Sequence, residues 1–231
     1  TEVMCGFAGF TNPLSEVQGE NIVKKMLDPI KHRGPDSNSI YINNKIAMGH
    51  YRLSIIDLIG GKQPRIDKEK DNYLLYNGEI YGYKNHATVL KNHGISLKDN
   101  SDTEVLFQSL KYFGVEKTLK TIDGMFSFVF YESKSDSLWL ARDPMGEKPL
   151  YYSIKDKHTF FSSELSSIAA CSDILSFNID ENSLISYLNL DYIPKDKTIL
   201  SGIKKVLPGE LIKIQKGNIT KELYYKINFN Q

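Results

Sequence analysis

The sequence predicts an α+β fold with antiparallel sheets. Strand-like runs are bunched together, helical patterns fall in separate flanking blocks, and no glycine-rich loop of the phosphate-cradling kind joins a strand to a helix. Alternating βαβ units would interleave the two kinds of pattern.

Taken in order, Ser15-Glu16-Val17-Gln18 reads as a capping box, with Ile22, Val23, Met26 and Leu27 at helical spacing until Asp28-Pro29 stops the pattern. Ser39 to Ile42, Ile46 to Met48 and Arg52 to Asp57 are short strand-like runs, with Asn43-Asn44 suited to a hairpin turn and Gly60-Gly61 closing the series. Tyr73 to Tyr76 is a further strand, expected to end in a sharp turn at Asn77-Gly78. A second capping box, Ser101-Asp102-Thr103-Glu104, opens a helix with Val105, Leu106, Leu110 and Phe113 on its apolar side.

Four runs then follow at short intervals, Met125 to Tyr131, Leu138 to Ala141, Pro149 to Ser153 and Thr159 to Ser162, which predict an antiparallel meander. Phe126, Phe128 and Phe130 would share one strand face. Helical patterns return at Glu164 to Ala170 and Glu181 to Asn189, before strands near Leu211 to Ile214 and Tyr224 to Ile227. The chain shows no repeat, low-complexity tract or internal linker, so its 231 residues are read as one domain.

Formal net charge is +1 with both signs spread along the chain, which gives no electrostatic footprint for nucleic acid or an anionic membrane. No window approaches the ~18 apolar residues of a membrane span. Cys5 and Cys171 are the only cysteines, without ligand spacing, so neither a zinc site nor a disulfide framework is indicated and a reduced, cytoplasmic setting is expected. The expected substrate is small. Of the four arginines, Arg33, Arg52 and Arg142 lie in motifs and Arg65 does not.

The most informative residue is Cys5, which opens Cys5-Gly6-Phe7-Ala8-Gly9-Phe10. A cysteine freed as the first residue carries its own base, because an α-amino group with a pKa of about 7.7 to 8.0 is partly neutral at pH 7 and can take the thiol proton. A small buried cysteine in an apolar strand is the competing reading.

Four ordered segments weigh on that choice: His32-Arg33-Gly34-Pro35-Asp36-Ser37, Gly49 to Asp57, Asn77-Gly78-Glu79-Ile80-Tyr81 and Ser101 to Val105. With Gly124-Met125-Phe126, Arg142 to Tyr152 and Phe161-Ser162-Ser163-Glu164-Leu165, they resemble the N-terminal class II glutaminase domain of glutamine-dependent asparagine synthetases, from Met4 to about Glu210. The resemblance implies an N-terminal nucleophile (Ntn) hydrolase fold, a four-layer αββα sandwich with two antiparallel sheets. It also implies hydrolysis of glutamine through a γ-glutamyl thioester on Cys5, with the ammonia passed to a synthetase domain.

Residue by residue, the resemblance makes Arg52 the grip on the glutamine α-carboxylate, a task suited to a bidentate guanidinium, with backbone atoms of Leu53, Ile55 and Ile56 lining the same pocket. Asn77 and Gly78 match an oxyanion hole, and Glu79 and Asp102 the acids that hold the α-ammonium. Asp102 could instead serve the helix, since it sits in the first turn where a carboxylate is favoured, and Asn77-Gly78 could be a plain turn. His32, His50, His86, His93 and His158 are assigned no acid or base role, with His50 the best placed of them. Arg33, Asp36, Arg142 and Asp143 are expected to form ion pairs or turns that shape the pocket. Gly82, where the family usually has asparagine, is a minor departure.

The partners implied are L-glutamine, a C-terminal synthetase domain absent from this chain and, as an option, a second copy in a homodimer. No metal or cofactor is implied for residues 5–231, whereas ATP and Mg2+ belong to the synthetase domain. Thr1 to Met4 are read as an extension, either a tag scar or a propeptide, that would block Cys5 while present. Two alternatives stay open: the glutaminase half of an enzyme that amidates a sugar or another metabolite carboxylate, and a catalytically silent glutamine-binding domain. The signatures of the amino-sugar branch are missing.

Overall fold

The computed structural model describes residues 4–53, 61–67, 69 and 71–226. From the N-terminus, β1 (Gly6–Thr11) leads into α1 (Glu16–Leu27), a 3-10 turn over Asp28–Arg33, and the hairpin of β2 (Ser37–Ile42) and β3 (Ile46–Arg52). Next come β4 (Arg65–Asp67), β5 (Asn72–Tyr81) and three helices, α2 (Tyr83–Asn92), α3 (Asp102–Phe113) and α4 (Val115–Leu119). β6 (Asp123–Glu132), β7 (Ser137–Arg142), β8 (Tyr151–Lys155) and β9 (His158–Ser162) follow. The chain continues through α5 (Leu165–Ala169), α6 (Ser172–Leu175), α7 (Glu181–Leu190), β10 (Ile203–Lys205), β11 (Glu210–Gln215) and β12 (Asn218–Leu223).

The described residues gather into two compact units, one drawn from 1–53 and 149–207, the other from 54–148 and 208–231. In the first, six antiparallel strands run in the order β10-β8-β9-β1-β3-β2. Strand alternation sends Ala8, Phe10, Ala47 and Phe160 to one face, where they pack with Val23, Met26 and Leu27 of α1 and Ile168 of α5. Ser15 caps α1 by accepting the Gln18 amide at 3.2 Å. The opposite face carries Phe7, Met48, His50, Arg52 and Phe161, all buried.

The second unit holds the order β12-β11-β7-β6-β5-β4, again antiparallel. Phe126, Phe128 and Phe130 share one face, as expected, against Leu106, Phe107 and Leu110 of α3 and Val115 and Leu119 of α4. Each of these rings contributes roughly 1.5–3 kcal/mol through burial. Asn77 and Glu79 point from β5 to the other face, in alternation with Tyr76 and Ile80.

Several expectations are corrected. The run Tyr73 to Tyr76 does not stop at Asn77-Gly78, because β5 continues through both to Tyr81. Gly78 makes this possible: its φ is +148°, and a Cβ there would lie 2.1 Å from the Met125 carbonyl oxygen of β6. The expected meander divides, with the hairpin β6-β7 in one sheet and β8-β9 in the other. Ile46 to Met48 and Arg52 belong to a single strand, β3, while residues 54–57 of the run from Arg52 lie outside the described residues. Among the described residues the last strand is β12, ahead of Tyr224; of the expected run from Tyr224, residues 224–226 are not strand and Ile227 lies outside the described residues. No capping signal announces α2, which starts after Gly82 in the left-handed region without a side-chain cap.

Candidate active site

In the first unit Cys5 stands immediately before β1 and is half-buried. Gly6 lies opposite Tyr51, so the antiparallel register carries Cys5 to Arg52 at the end of β3. The neighbouring Leu53 meets the sulfur with both of its backbone groups: its N–H donates to Cys5 Sγ at 3.3 Å, and the thiol donates to its carbonyl at 3.5 Å. These contacts fix where the thiol points. Arg52 is buried on the same sheet face as His50 and Phe7. Ile55 and Ile56 lie outside the described residues.

The segment that bears Cys5 is held from several sides. Arg33, itself buried, donates Nε to the Cys5 carbonyl at 3.0 Å and Nη1 to Glu164 at 2.8 Å. His32 Nε2 reaches the same Glu164 oxygen at 3.0 Å. Ser163 Oγ accepts the Phe7 amide, and the Ser162 hydroxyl and Ser163 amide both donate to the Phe7 carbonyl. Gly6 has to be small, because a Cβ there would come within 2.8 Å of Arg33 Cδ. Arg33 is thus the ion-pairing residue expected from its motif, whereas no signal in the sequence singled out Glu164 as its partner.

In the second unit β5 presents Asn77, Gly78 and Glu79 in succession. Asn77 is 2% exposed, and its side-chain Nδ2 is buried without a hydrogen-bond partner. An amide nitrogen left unpaired in this way costs about 1–3 kcal/mol. Phe126, opposite Gly78, turns both of its peptide groups to Asp143, accepting that residue's N–H at 2.7 Å and donating to its carboxylate at 3.3 Å. Gly78 and Phe126 therefore form a non-hydrogen-bonded pair, and the Gly78 N–H points away from β6.

Asp102 begins α3, after Ser101 has capped the helix by accepting the Glu104 amide at 3.1 Å. Its buried carboxylate accepts the Tyr76 hydroxyl at 2.7 Å, the Ile80 amide at 3.2 Å and the Thr103 amide at 2.8 Å. Burial raises its pKa above the ordinary carboxylate value, the three hydrogen bonds oppose that rise, and the negative charge of Glu79 adds to it. Asp102 is both a tie between helix and strand and an acid beside a second acid.

The other motif residues build loops. Arg142 donates to the carbonyls of Lys148 and Gly146, while the fully buried Asp143 carboxylate accepts the amides of Met145, Glu147 and Lys148. The ring nitrogens of His93 and His158 meet main-chain carbonyls. Among the described residues, no cluster of three or more His, Cys, Asp or Glu side chains is arranged to hold a metal ion, and no helix is long and apolar enough to cross a membrane.

Two antiparallel sheets with flanking helices define the fold class, that of the Ntn hydrolases. A family model for a glutamine amidotransferase domain matches residues 4–225, and the chain belongs to that family. Asparagine synthetase [glutamine-hydrolyzing] 1 of Bacillus subtilis strain 168 is 36% identical over 230 residues, which cover 98% of this chain and 36% of that one. A putative asparagine synthetase [glutamine-hydrolyzing] 2 of Methanocaldococcus jannaschii is 32% identical over 246 residues, 97% of this chain and 47% of the relative. The chain therefore spans about a third to a half of the length of these relatives.

Among solved structures, the glutamine phosphoribosylpyrophosphate amidotransferase of B. subtilis in complex with ADP and GMP superimposes with a TM-score of 0.68 at 19% identity, over 96% of this chain and 49% of that one. An allosteric regulatory enzyme of purine biosynthesis gives 0.69 at the same identity and coverage. These likenesses bear out the Ntn-hydrolase fold that the sequence motifs implied.

Proposed function

We propose that this chain is a glutaminase in which Cys5, as the first residue, attacks the side-chain amide of L-glutamine. The α-amino group of Cys5 takes the thiol proton and returns it to the leaving nitrogen. Ammonia departs and a γ-glutamyl thioester remains, which water cleaves to glutamate and the free thiol. Arg52 holds the substrate α-carboxylate, Leu53 lines the pocket together with Ile55 and Ile56, and Glu79 with Asp102 holds the α-ammonium. The proximity of the Glu79 charge to Asp102 supports the last assignment, since a bound cation relieves the repulsion of two acids.

The observation that carries the reading is the buried Asn77 Nδ2 without an acceptor, one residue before Gly78. Such a donor suits an oxygen that becomes negative only during the reaction, and one donor of this kind is worth about 2.7–4 kcal/mol in kcat. The names of the relatives support asparagine synthesis as the destination of the ammonia. ATP and Mg2+ are part of this proposal only as what the family resemblance implies for a synthetase domain. A chain that keeps Thr1 to Met4 has a peptide nitrogen where the base is needed, so this form is expected to be silent.

Intact mass before and after exposure to 6-diazo-5-oxo-norleucine tests the reading. A single adduct on a chain that begins at Cys5, lost in Cys5→Ala, is the expected result. Glutamine binding without adduct or turnover in that same form would replace the enzyme with a silent glutamine-binding domain.

A further inference from the structure

Beyond Leu74, the edge of β5 that faces away from β6 has no strand beside it among the described residues, because β4 pairs only with Asn72, Tyr73 and Leu74. Side chains take the strand's place. Gln63, 8% exposed, accepts the Tyr76 N–H at 2.7 Å through Oε1 and donates Nε2 to the Tyr76 carbonyl at 2.8 Å, so that one amide group reproduces both hydrogen bonds of a ladder rung. Four residues on, the Ile80 N–H is taken by Asp102. Strand alternation puts the peptide groups of residues 76, 78 and 80 on the same edge, so the Gly78 N–H lies midway between two amides that side chains hold in place.

Gly78 cannot hold its own direction. With φ at +148° and no side chain, its peptide group has more freedom than any other residue would allow, and β6 restrains it from one side only. We propose that Gln63 is a positioning residue of the oxyanion hole. By clamping Tyr76 it fixes the plane of the strand two residues before Gly78 and aims that N–H at the developing oxyanion. The proposal rests on the glutaminase reading and adds to it a residue that touches neither substrate nor nucleophile.

The test uses the chain beginning at Cys5 and compares wild type with Gln63→Met, which keeps the side-chain length and removes both hydrogen bonds. An oxyanion donor acts in the transition state, whereas glutamine is gripped by its α-carboxylate and α-ammonium. The expected result is thus a kcat about tenfold to a hundredfold lower with KM within about twofold of wild type. A kcat within twofold of wild type, or a KM that changes in step with a lost thermal midpoint, overturns the proposal. Should Gln63→Met fail to fold, Gln63→Glu retains the acceptor for the Tyr76 N–H, sets a carboxylate against the Tyr76 carbonyl, and is held to the same kcat and KM criteria. Hydrogen exchange on the wild-type chain gives an independent reading: the Tyr76 amide should be as protected as amides inside the β5-β6 ladder, and free exchange would sink the idea. A wild type that is inactive although its Tyr76 amide is protected removes the glutaminase reading, and this proposal falls with it. An active wild type matched by an equally active Gln63→Met removes this proposal alone.

Discussion

Arg33 Nε donates to the Cys5 carbonyl oxygen at 3.0 Å, while the same guanidinium holds Glu164 at 2.8 Å. Two segments far apart in sequence thereby fix the backbone next to the nucleophile. Lysine cannot reproduce the planar fork that spans both partners. Arg33→Lys should lower unfolding stability by about 1–3 kcal/mol, read from the urea midpoint, and slow modification of Cys5 by the glutamine analogue roughly tenfold to a hundredfold through misplacement of the thiol. Unchanged labelling at reduced stability would confine Arg33 to a structural role.

Asn77 should show opposite effects on stability and activity. Replacing it with leucine removes a buried donor that has no acceptor, so the urea midpoint is expected to rise, while glutaminase kcat falls about 100- to 1000-fold. A variant that loses stability and activity together would mean that Asn77 only supports the strand.

Arg52→Lys keeps the charge at the end of β3 but gives up bidentate geometry. Glutamine affinity, measured by calorimetry in a Cys5→Ala background to prevent turnover, should weaken about tenfold to a hundredfold. Retained affinity would move the carboxylate grip elsewhere.

Acid stability should depend on Asp99. Burial works against its ionisation, but hydrogen bonds from Ser101 and Arg65 and the positive charge of Arg65 outweigh this and hold its pKa at about 2. A depressed carboxylate stabilises the fold above its ordinary pKa near 3.8, and that contribution is lost as pH falls through the window from about 4 to 2. Asp99→Asn should therefore be less stable than wild type by on the order of 1–2 kcal/mol at pH 6, with the gap closing towards pH 2. Urea midpoints measured across that range check it, and a gap that does not depend on pH would refute it.

Local chemistry explains which elements could be read from sequence. Both capping serines do what their motifs implied, Ser15 for α1 and Ser101 for α3, because the cap and its helix lie within one turn of each other. The three phenylalanines of β6 follow from alternation alone. Asn77-Gly78 misled because its strand geometry depends on the close approach of Met125, a residue distant in sequence. The division of the β6 to β9 hairpins between two sheets likewise depends on pairings of β9 with β1 and of β7 with β11 that no local pattern carries. For the candidate site, residue types in their motifs pointed to Cys5, Arg52, Asn77 and Asp102. Gln63 and Glu164 were not legible, because their part is defined only by which distant backbone or guanidinium they reach.

Cys171 is fully buried, and burial pushes its thiol up to about 11, so at neutral pH it is both shut away and protonated. The sequence has one other cysteine, the half-buried Cys5. A thiol-selective dye or spin probe added to the folded protein will therefore report from one address, and spectroscopists can follow the segment ahead of β1 without first engineering a cysteine out.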